Sequence, residues 1–136
     1  MFLYLETRYK KMTNMEKPIE VIFLKQAEEF AESIEENPKQ KLFQAIRKTK
    51  ERIFGQWFTK LKSSDGIFEF RVDDSGKFYR LFAFWDTEED EETLVVATHG
   101  LIKKTNKTPQ SEIRKAEQIK RDYFEEKKNE KRNKSK

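Results

Sequence analysis

Two arginines, Arg71 and Arg80, stand on either side of a D-D-S-G turn at residues 73–76, with Glu69 two positions before the first. Guanidinium groups stay charged at any pH a protein meets and fork onto oxyanions, so a pair on one surface suits phosphate. An even loop pairs Val72 with Lys77 and sets Glu69 opposite Arg80. Side chains alternate along a strand and cross-strand neighbours share a side. Ile67, Glu69 and Arg71 are therefore expected on one face with Phe78, Arg80, Phe82 and Phe84, outside the main core. The other face gathers Phe68, Phe70, Val72, Tyr79, Leu81, Ala83 and Trp85, an apolar set for a core under helices. The charged face admits two readings. One is a surface salt bridge between Glu69 and Arg80, worth at most ~1 kcal/mol. The other is a phosphate site flanked by aromatic surfaces for bases, the combination that single-stranded RNA requires.

A second chemically equipped segment is T-H-G-L-I-K-K-T-N-K-T-P, residues 98–109. It places the lone histidine, His99, at a strand end, Gly100 where the chain is expected to turn, and Lys103, Lys104 and Lys107 ahead of a helix. Cations are unfavourable at a helix N-terminus, whose partial positive charge favours anions. A bound phosphate would resolve the mismatch, drawing on both the lysines and the helix N–H groups. The bland alternative for a lone histidine is a structural role. Residues 86–92, D-T-E-E-D-E-E, hold six carboxylates and read as an exposed hairpin loop. They lack the glycine turn and alternating spacing with which loop carboxylates hold a cation.

Composition narrows the chemistry further. There is no cysteine and one histidine, which excludes disulfides, thiolate zinc sites and a cysteine nucleophile. No cofactor and no metal is expected. The 136 residues suffice for one core. Charged residues make up 40% of the chain against 35% hydrophobic, but twelve Phe, four Tyr and two Trp argue for a packed interior rather than disorder. The net charge of +4 is uneven: residues 1–97 carry 16 basic and 19 acidic side chains, residues 98–136 carry 13 and 6. That asymmetry favours a polyanion or acidic partner at the C-terminal part, or marks a solvating segment. The longest apolar run, Leu81 to Trp85, is far short of the ~20 residues that cross a bilayer, so a soluble, cytoplasmic protein is expected with no membrane partner.

The elements that must position these groups follow from periodicity. Residues 18–24 read as a strand and Lys25 to Glu36 as a helix with Ala27, Phe30, Ala31 and Ile34 on one side. Asn37-Pro38 predicts a second helix, capped by Asn37, running to about Phe54, with Leu42, Ile46 and Ile53 inward and Gly55 ending it. Period-two patterning predicts strands at 57–61, 67–72, 77–85 and 93–99. Thr108-Pro109 opens a third helix carrying Ile113, Ala116, Ile119 and Tyr123. The fold class is α+β, an antiparallel sheet with helices packed on it. The domain spans residues 18–127. Residues 1–17, with Met1, Met12 and Met15 as possible starts, read as a disordered leader, and 128–136 as a frayed basic tail.

The blocks D-G-I-F-E-F-R-V (65–72), K-F-Y-R-L-F-A-F-W-D (77–86) and T-H-G-L-I-K-K-T-N-K-T-P with E-I-R-K-A-E (112–117) together resemble the phage-derived HigB-type branch of the RelE/ParE toxin superfamily. The resemblance implies a microbial RNase-like fold, an N-terminal helical hairpin and a C-terminal helix on a twisted antiparallel sheet. It implies a type II toxin-antitoxin toxin that cleaves mRNA, often on the ribosome, and a cognate antitoxin, often with a helix-turn-helix. By position, Arg71, Arg80 and Lys103 or Lys104 match the superfamily's RNA-cleavage residues. Glu69 stands where ribosome-dependent relatives often carry a cation, and P-Q-S-E-I-R (109–114) lacks their tyrosine, Tyr123 lying too far along. Catalysis is accordingly expected from Arg71, Arg80, His99, Lys104 and Glu69: the arginines stabilise the phosphate, His99 or Glu69 is the base, Lys104 or His99 the acid. RNA contact is expected from Lys60, Lys62, Lys77, Lys103 and Lys107. ParE-like relatives share the fold but inhibit DNA gyrase by binding, and an inactive nucleic-acid- or antitoxin-binding relative is a further alternative.

Overall fold

A computed structural model describes residues 18–87 and 93–134. The expected leader, and most of the acidic run at 86–92, lie outside the described residues. The element order is β1 (Glu20–Phe23), α1 (Lys25–Ser33), α2 (Glu36–Lys50), β2 (Phe58–Lys60), β3 (Ile67–Asp74), β4 (Lys77–Trp85), β5 (Leu94–Lys103) and α3 (Gln110–Lys134). One five-stranded sheet runs β1-β5-β4-β3-β2. The β2, β3, β4 and β5 strands form an antiparallel meander, but β1 lies parallel to β5, with Val21 beside Val95. The sheet is mixed, which corrects the antiparallel expectation. Hairpin signals report neighbours in sequence, and β1 finds its partner only after two helices and three strands have intervened.

The α1 and α2 helices cover one face. Ala27, Ala31, Ile34, Leu42 and Ile46 bury themselves against Phe70, Val72, Tyr79, Leu81 and Ala83, the apolar set that strand parity assigns to this face. Pro38 is the third residue of α2 rather than the first, and the cap is Glu35, with no side-chain hydrogen bond, rather than Asn37. Proline is tolerated there because first-turn N–H groups have no partner within the helix. The helix ends at Lys50, short of Phe54. Arg52 turns to φ 62°, its N–H reaches Thr49 O at 2.9 Å and that of Ile53 reaches Lys48 O at 2.8 Å, a Schellman ending without glycine. Ile53 is consequently half exposed, not a core residue.

The face expected to lie outside the core is itself covered. The α3 helix crosses it, and Ile67, Phe82, Phe84, Val96 and Ala116 form a second apolar cluster with Tyr123 and Phe124 at its edge. Helix α3 continues to Lys134, so the expected frayed tail from residue 128 is helical over nearly its whole length. Polar contacts fasten it to the sheet side: Glu112 with His99, Glu117 and Lys120 with the backbone of Asp65, and Tyr123 and Lys127 with Asp86. Asp86 is therefore a buried acceptor rather than part of an exposed loop. No described helix is long and apolar enough to cross a membrane.

Candidate active site

The hairpin turn is tighter than the D-D-S-G motif suggests. Ser75 and Gly76 both have positive φ (50° and 77°), the backbone of a type I′ turn, and Asp74 pairs with Lys77. This register moves every partner by two residues. Arg71, not Glu69, now lies directly opposite Arg80, and Glu69 lies opposite Phe82. A shift of two leaves the faces unchanged, so Glu69, Arg71 and Arg80 do share a side, as expected.

Like charges directly opposite one another are unfavourable, and the two guanidiniums are held by acceptors gathered around them. Glu69 Oε1 sits 3.6 Å from Arg71 Nε and 3.8 Å from Arg80 Nε, an ion pair with each that is too long for a hydrogen bond. Arg80 Nη1 donates to Asp73 Oδ1 at 3.0 Å and to Tyr79 O at 2.9 Å. Arg71 Nη2 and Arg80 Nη2 both donate to one atom, the side-chain oxygen of Asn106, at 2.9 and 2.8 Å. Arg80 is wholly buried, whereas the Arg71 side chain keeps 29% of its surface in solvent. The surface salt-bridge reading is thereby corrected: this is a buried, multiply hydrogen-bonded cluster with one arginine opening to solvent.

Strand β5 supplies the third cation. Lys103 lies opposite Phe78 and shares the arginines' face. Its ammonium donates to Thr108 Oγ1 at 2.7 Å and to Asn106 O at 3.1 Å, and Thr108 in turn donates to Glu69 Oε2 at 3.1 Å. Burial pushes the Lys103 ammonium below its usual pKa. Glu69 opposes that shift and the nearby Arg80 and Arg71 add to it. The choice between Lys103 and Lys104 falls by register to Lys103 as the residue in the cluster; Lys104 lies just beyond the strand, exposed. Thr108, expected to cap α3, commits its hydroxyl to this network instead.

His99 is placed by an irregularity. Between Phe82 and Ala83 the β4–β5 ladder skips a residue: Ala83 pairs with Ala97, but Phe82 with His99. The extra residue, Thr98, is a bulge that turns His99 away from the main core and onto the Phe82 side. Its ring stacks on Phe82 at 4.8 Å, Nε2 meets Glu112 Oε2 at 2.8 Å and Nδ1 meets Thr98 Oγ1 at 3.0 Å. It is 2% exposed and lies within β5 rather than at its end. Burial, the largest influence, lowers its pKa and Lys115 adds to that, while the hydrogen bond and charge of Glu112 work against it. His99 therefore fastens α3 to the sheet and is sealed from solvent. Gly100 is likewise within the strand; it marks no turn, but any Cβ there would collide with the Phe30 ring of α1.

The other expected RNA contacts are dispersed. Lys60 pairs with Phe68 on β2, and Lys77 with Asp74 at the hairpin tip; both positions alternate onto the face of α1 and α2. Lys62 is exposed in the β2–β3 connection and Lys107 in the β5–α3 loop. Asn106, by contrast, is singled out by no motif or spacing, although it lies in the 98–109 segment. Its loop must fold back onto residues 26 and 35 positions earlier, a proximity no local pattern encodes.

The model of the family described as Phage derived protein Gp49-like (DUF891) matches residues 29–121, well over half of the chain, and the protein belongs to that family. No curated protein sequence matches. Among solved structures the chain is similar to an arginine-to-alanine double mutant of the Escherichia coli toxin RelE in the free state, with a TM-score of 0.49 and 16% identity, covering 61% of this chain and 81% of that one. It is also similar to the toxin-antitoxin complex RelBE2 from Mycobacterium tuberculosis, with a TM-score of 0.47 and 21% identity, covering 65% of this chain and 94% of that one.

Proposed function

We propose that this protein is the toxin of a type II toxin-antitoxin module and cleaves mRNA, its active site being the Glu69, Arg71, Arg80 and Lys103 cluster. The observation that carries the reading is the convergence of two opposed guanidiniums on a single oxygen acceptor, with a lysine of lowered pKa on the same face. Glu69 and Asp73 offset part of this positive charge, and the charged oxygens of a phosphate suit the remainder. In this reading the ribose 2′-oxygen attacks phosphorus as the bond to the 5′-oxygen breaks. Arg71 and Arg80 hold the non-bridging oxygens as their charge grows, Lys103 protonates the departing 5′-oxygen, and Glu69, buried but within the cluster that the phosphate enters, accepts the 2′-hydroxyl proton. His99, sealed behind Phe82 and Glu112, supports the sheet under the site rather than handling protons. A cognate antitoxin and the ribosome are the partners that the sequence resemblance implies, and the cytoplasm is the compartment.

The test is primer extension on cellular mRNA after a brief pulse of expression, wild type beside Arg71→Ala and Lys103→Met. New 5′ ends within open reading frames that vanish in both variants support an interferase. Growth arrest with intact messages overturns it and directs attention to gyrase.

A further inference from the structure

Asn106 is an odd occupant for its position. A neutral amide oxygen receives one N–H from each of two guanidiniums, at 2.9 and 2.8 Å, although either cation would be better matched by a charged oxygen. Each arginine also has an Nε that only approaches the Glu69 carboxylate, at 3.6 and 3.8 Å, too far for a hydrogen bond. Arg71 Nε and Arg80 Nε are both buried without a hydrogen-bond acceptor, in a cluster whose Arg80 is wholly buried. Unmade buried hydrogen bonds of this kind are uncommon and costly. Asn106 itself is exposed and sits in the irregular segment 104–109 between β5 and α3. The segment is tied to the cluster by Asn106 Oδ1 on the arginines, by Asn106 O and Thr108 Oγ1 on Lys103, and by the Thr108 hydroxyl on Glu69, so Asn106 can leave the arginines while Thr108 still anchors the segment.

We propose that Asn106 is a built-in plug: its side-chain oxygen occupies the place of a phosphate's non-bridging oxygen between Arg71 and Arg80, and an RNA phosphate binds by displacing it. The inference rests on the reading of this cluster as an RNA phosphate site and adds a gate to it. Because the plug and the phosphate compete for the same donors, the free protein binds with its intrinsic affinity reduced by the fraction of molecules in which the site is open. The exchange favours the phosphate. Its several charged oxygens satisfy more guanidinium donors than one amide oxygen does. Segment 104–109 thereby couples occupancy of the site to the entry of α3, which begins at Gln110.

The experiment is fluorescence anisotropy of a single-stranded 2′-O-methyl RNA oligonucleotide, which lacks the attacking hydroxyl, titrated with the full chain at fixed salt. Wild type, Asn106→Ala, Asn106→Asp and Arg71→Ala are compared after thermal melts confirm that each folds. Removing the plug is expected to tighten binding about tenfold. A carboxylate at position 106 competes as a charged acceptor and is expected to weaken it by a similar factor. Unchanged or weaker binding by Asn106→Ala overturns the plug, even where Arg71→Ala shows that the arginine site binds RNA. Equal binding by wild type and Arg71→Ala removes the phosphate-site reading and the plug with it. Should the alanine variant melt early, Asn106→Asp alone decides: weaker binding by that variant supports a competing acceptor, and equal or tighter binding contradicts one.

Discussion

Arg71 and Arg80 lie opposite each other but answer different experiments. Arg71 keeps part of its side chain in solvent and contributes one hydrogen bond to Asn106, so Arg71→Ala is expected to lose ~10²-fold to 10³-fold in cleavage rate, as for other single donors to a developing anion. Its melting temperature should stay near that of the wild type. Arg80→Ala instead strips a buried ion from Glu69 and Asp73 and should cost about 3–5 kcal/mol of stability, visible as an early urea transition. Lys103 carries a pH signature. With its pKa lowered by burial, cleavage should fall as pH rises through a value below the ordinary lysine range. Lys103→Arg should move that alkaline limb out of reach in a pH–rate profile. His99 behaves oppositely to a paired surface histidine. Its folded pKa is depressed, so the unfolded chain binds the proton more readily. Its contribution to stability is complete above the ordinary histidine value of about 6.5 and is lost as pH falls below it. Urea unfolding at pH 7.5 and pH 5 should show that loss in the wild type and less of it in His99→Gln.

Among the elements, α3 is fastened toward its C-terminal half by ring contacts of Tyr123 and Phe124 with Phe84 and by one shared polar acceptor. Asp86 is buried and accepts from Tyr123 Oη at 2.8 Å and Lys127 Nζ at 2.7 Å. Asp86→Ala takes this shared acceptor away from both donors and is expected to cost about 1–3 kcal/mol. Hydrogen exchange should locate the loss in α3, with the α1–α2 side of the sheet protected as before. Strand β5 has a different dependence. It accommodates α1 only because Gly100 has no side chain beneath the Phe30 ring, and it presents His99 to α3 only because Thr98 bulges. The two features sit side by side, so β5 serves both layers at once: glycine for close approach on one face, a bulge for reach on the other.

At the scale of the molecule, charge and layers act together. Helices on both faces leave the sheet's cationic cluster partly buried beside the loop into α3, and the same C-terminal third carries the basic excess. Affinity for single-stranded RNA should therefore fall steeply with salt, the logarithmic slope changing by ~0.7 for each phosphate the protein neutralises. Arg71→Ala should flatten the plot by about that step, whereas Lys60→Ala, on the far face, should leave it as it is. Identical slopes for all three proteins would mean that Arg71 neutralises no phosphate, and a flat dependence in the wild type would mean that the basic residues serve solubility alone.

Strand and helix existence, the α+β class, the apolar face under α1 and α2 and the common side of Glu69, Arg71 and Arg80 are all legible in the amino-acid sequence by itself, because they depend on period and parity. Parity holds even where the register does not, since the type I′ turn at Ser75-Gly76 shifts partners by an even number. What tertiary structure alone decided are the contacts that no local rule reaches. These are β1 beside β5, α3 sealing the second face, the Thr98 bulge that redirects His99, and the fold-back that sets Asn106 between two arginines. Each depends on chain segments far apart in sequence meeting in space, where burial and unmet hydrogen bonds select the partner and periodicity is silent.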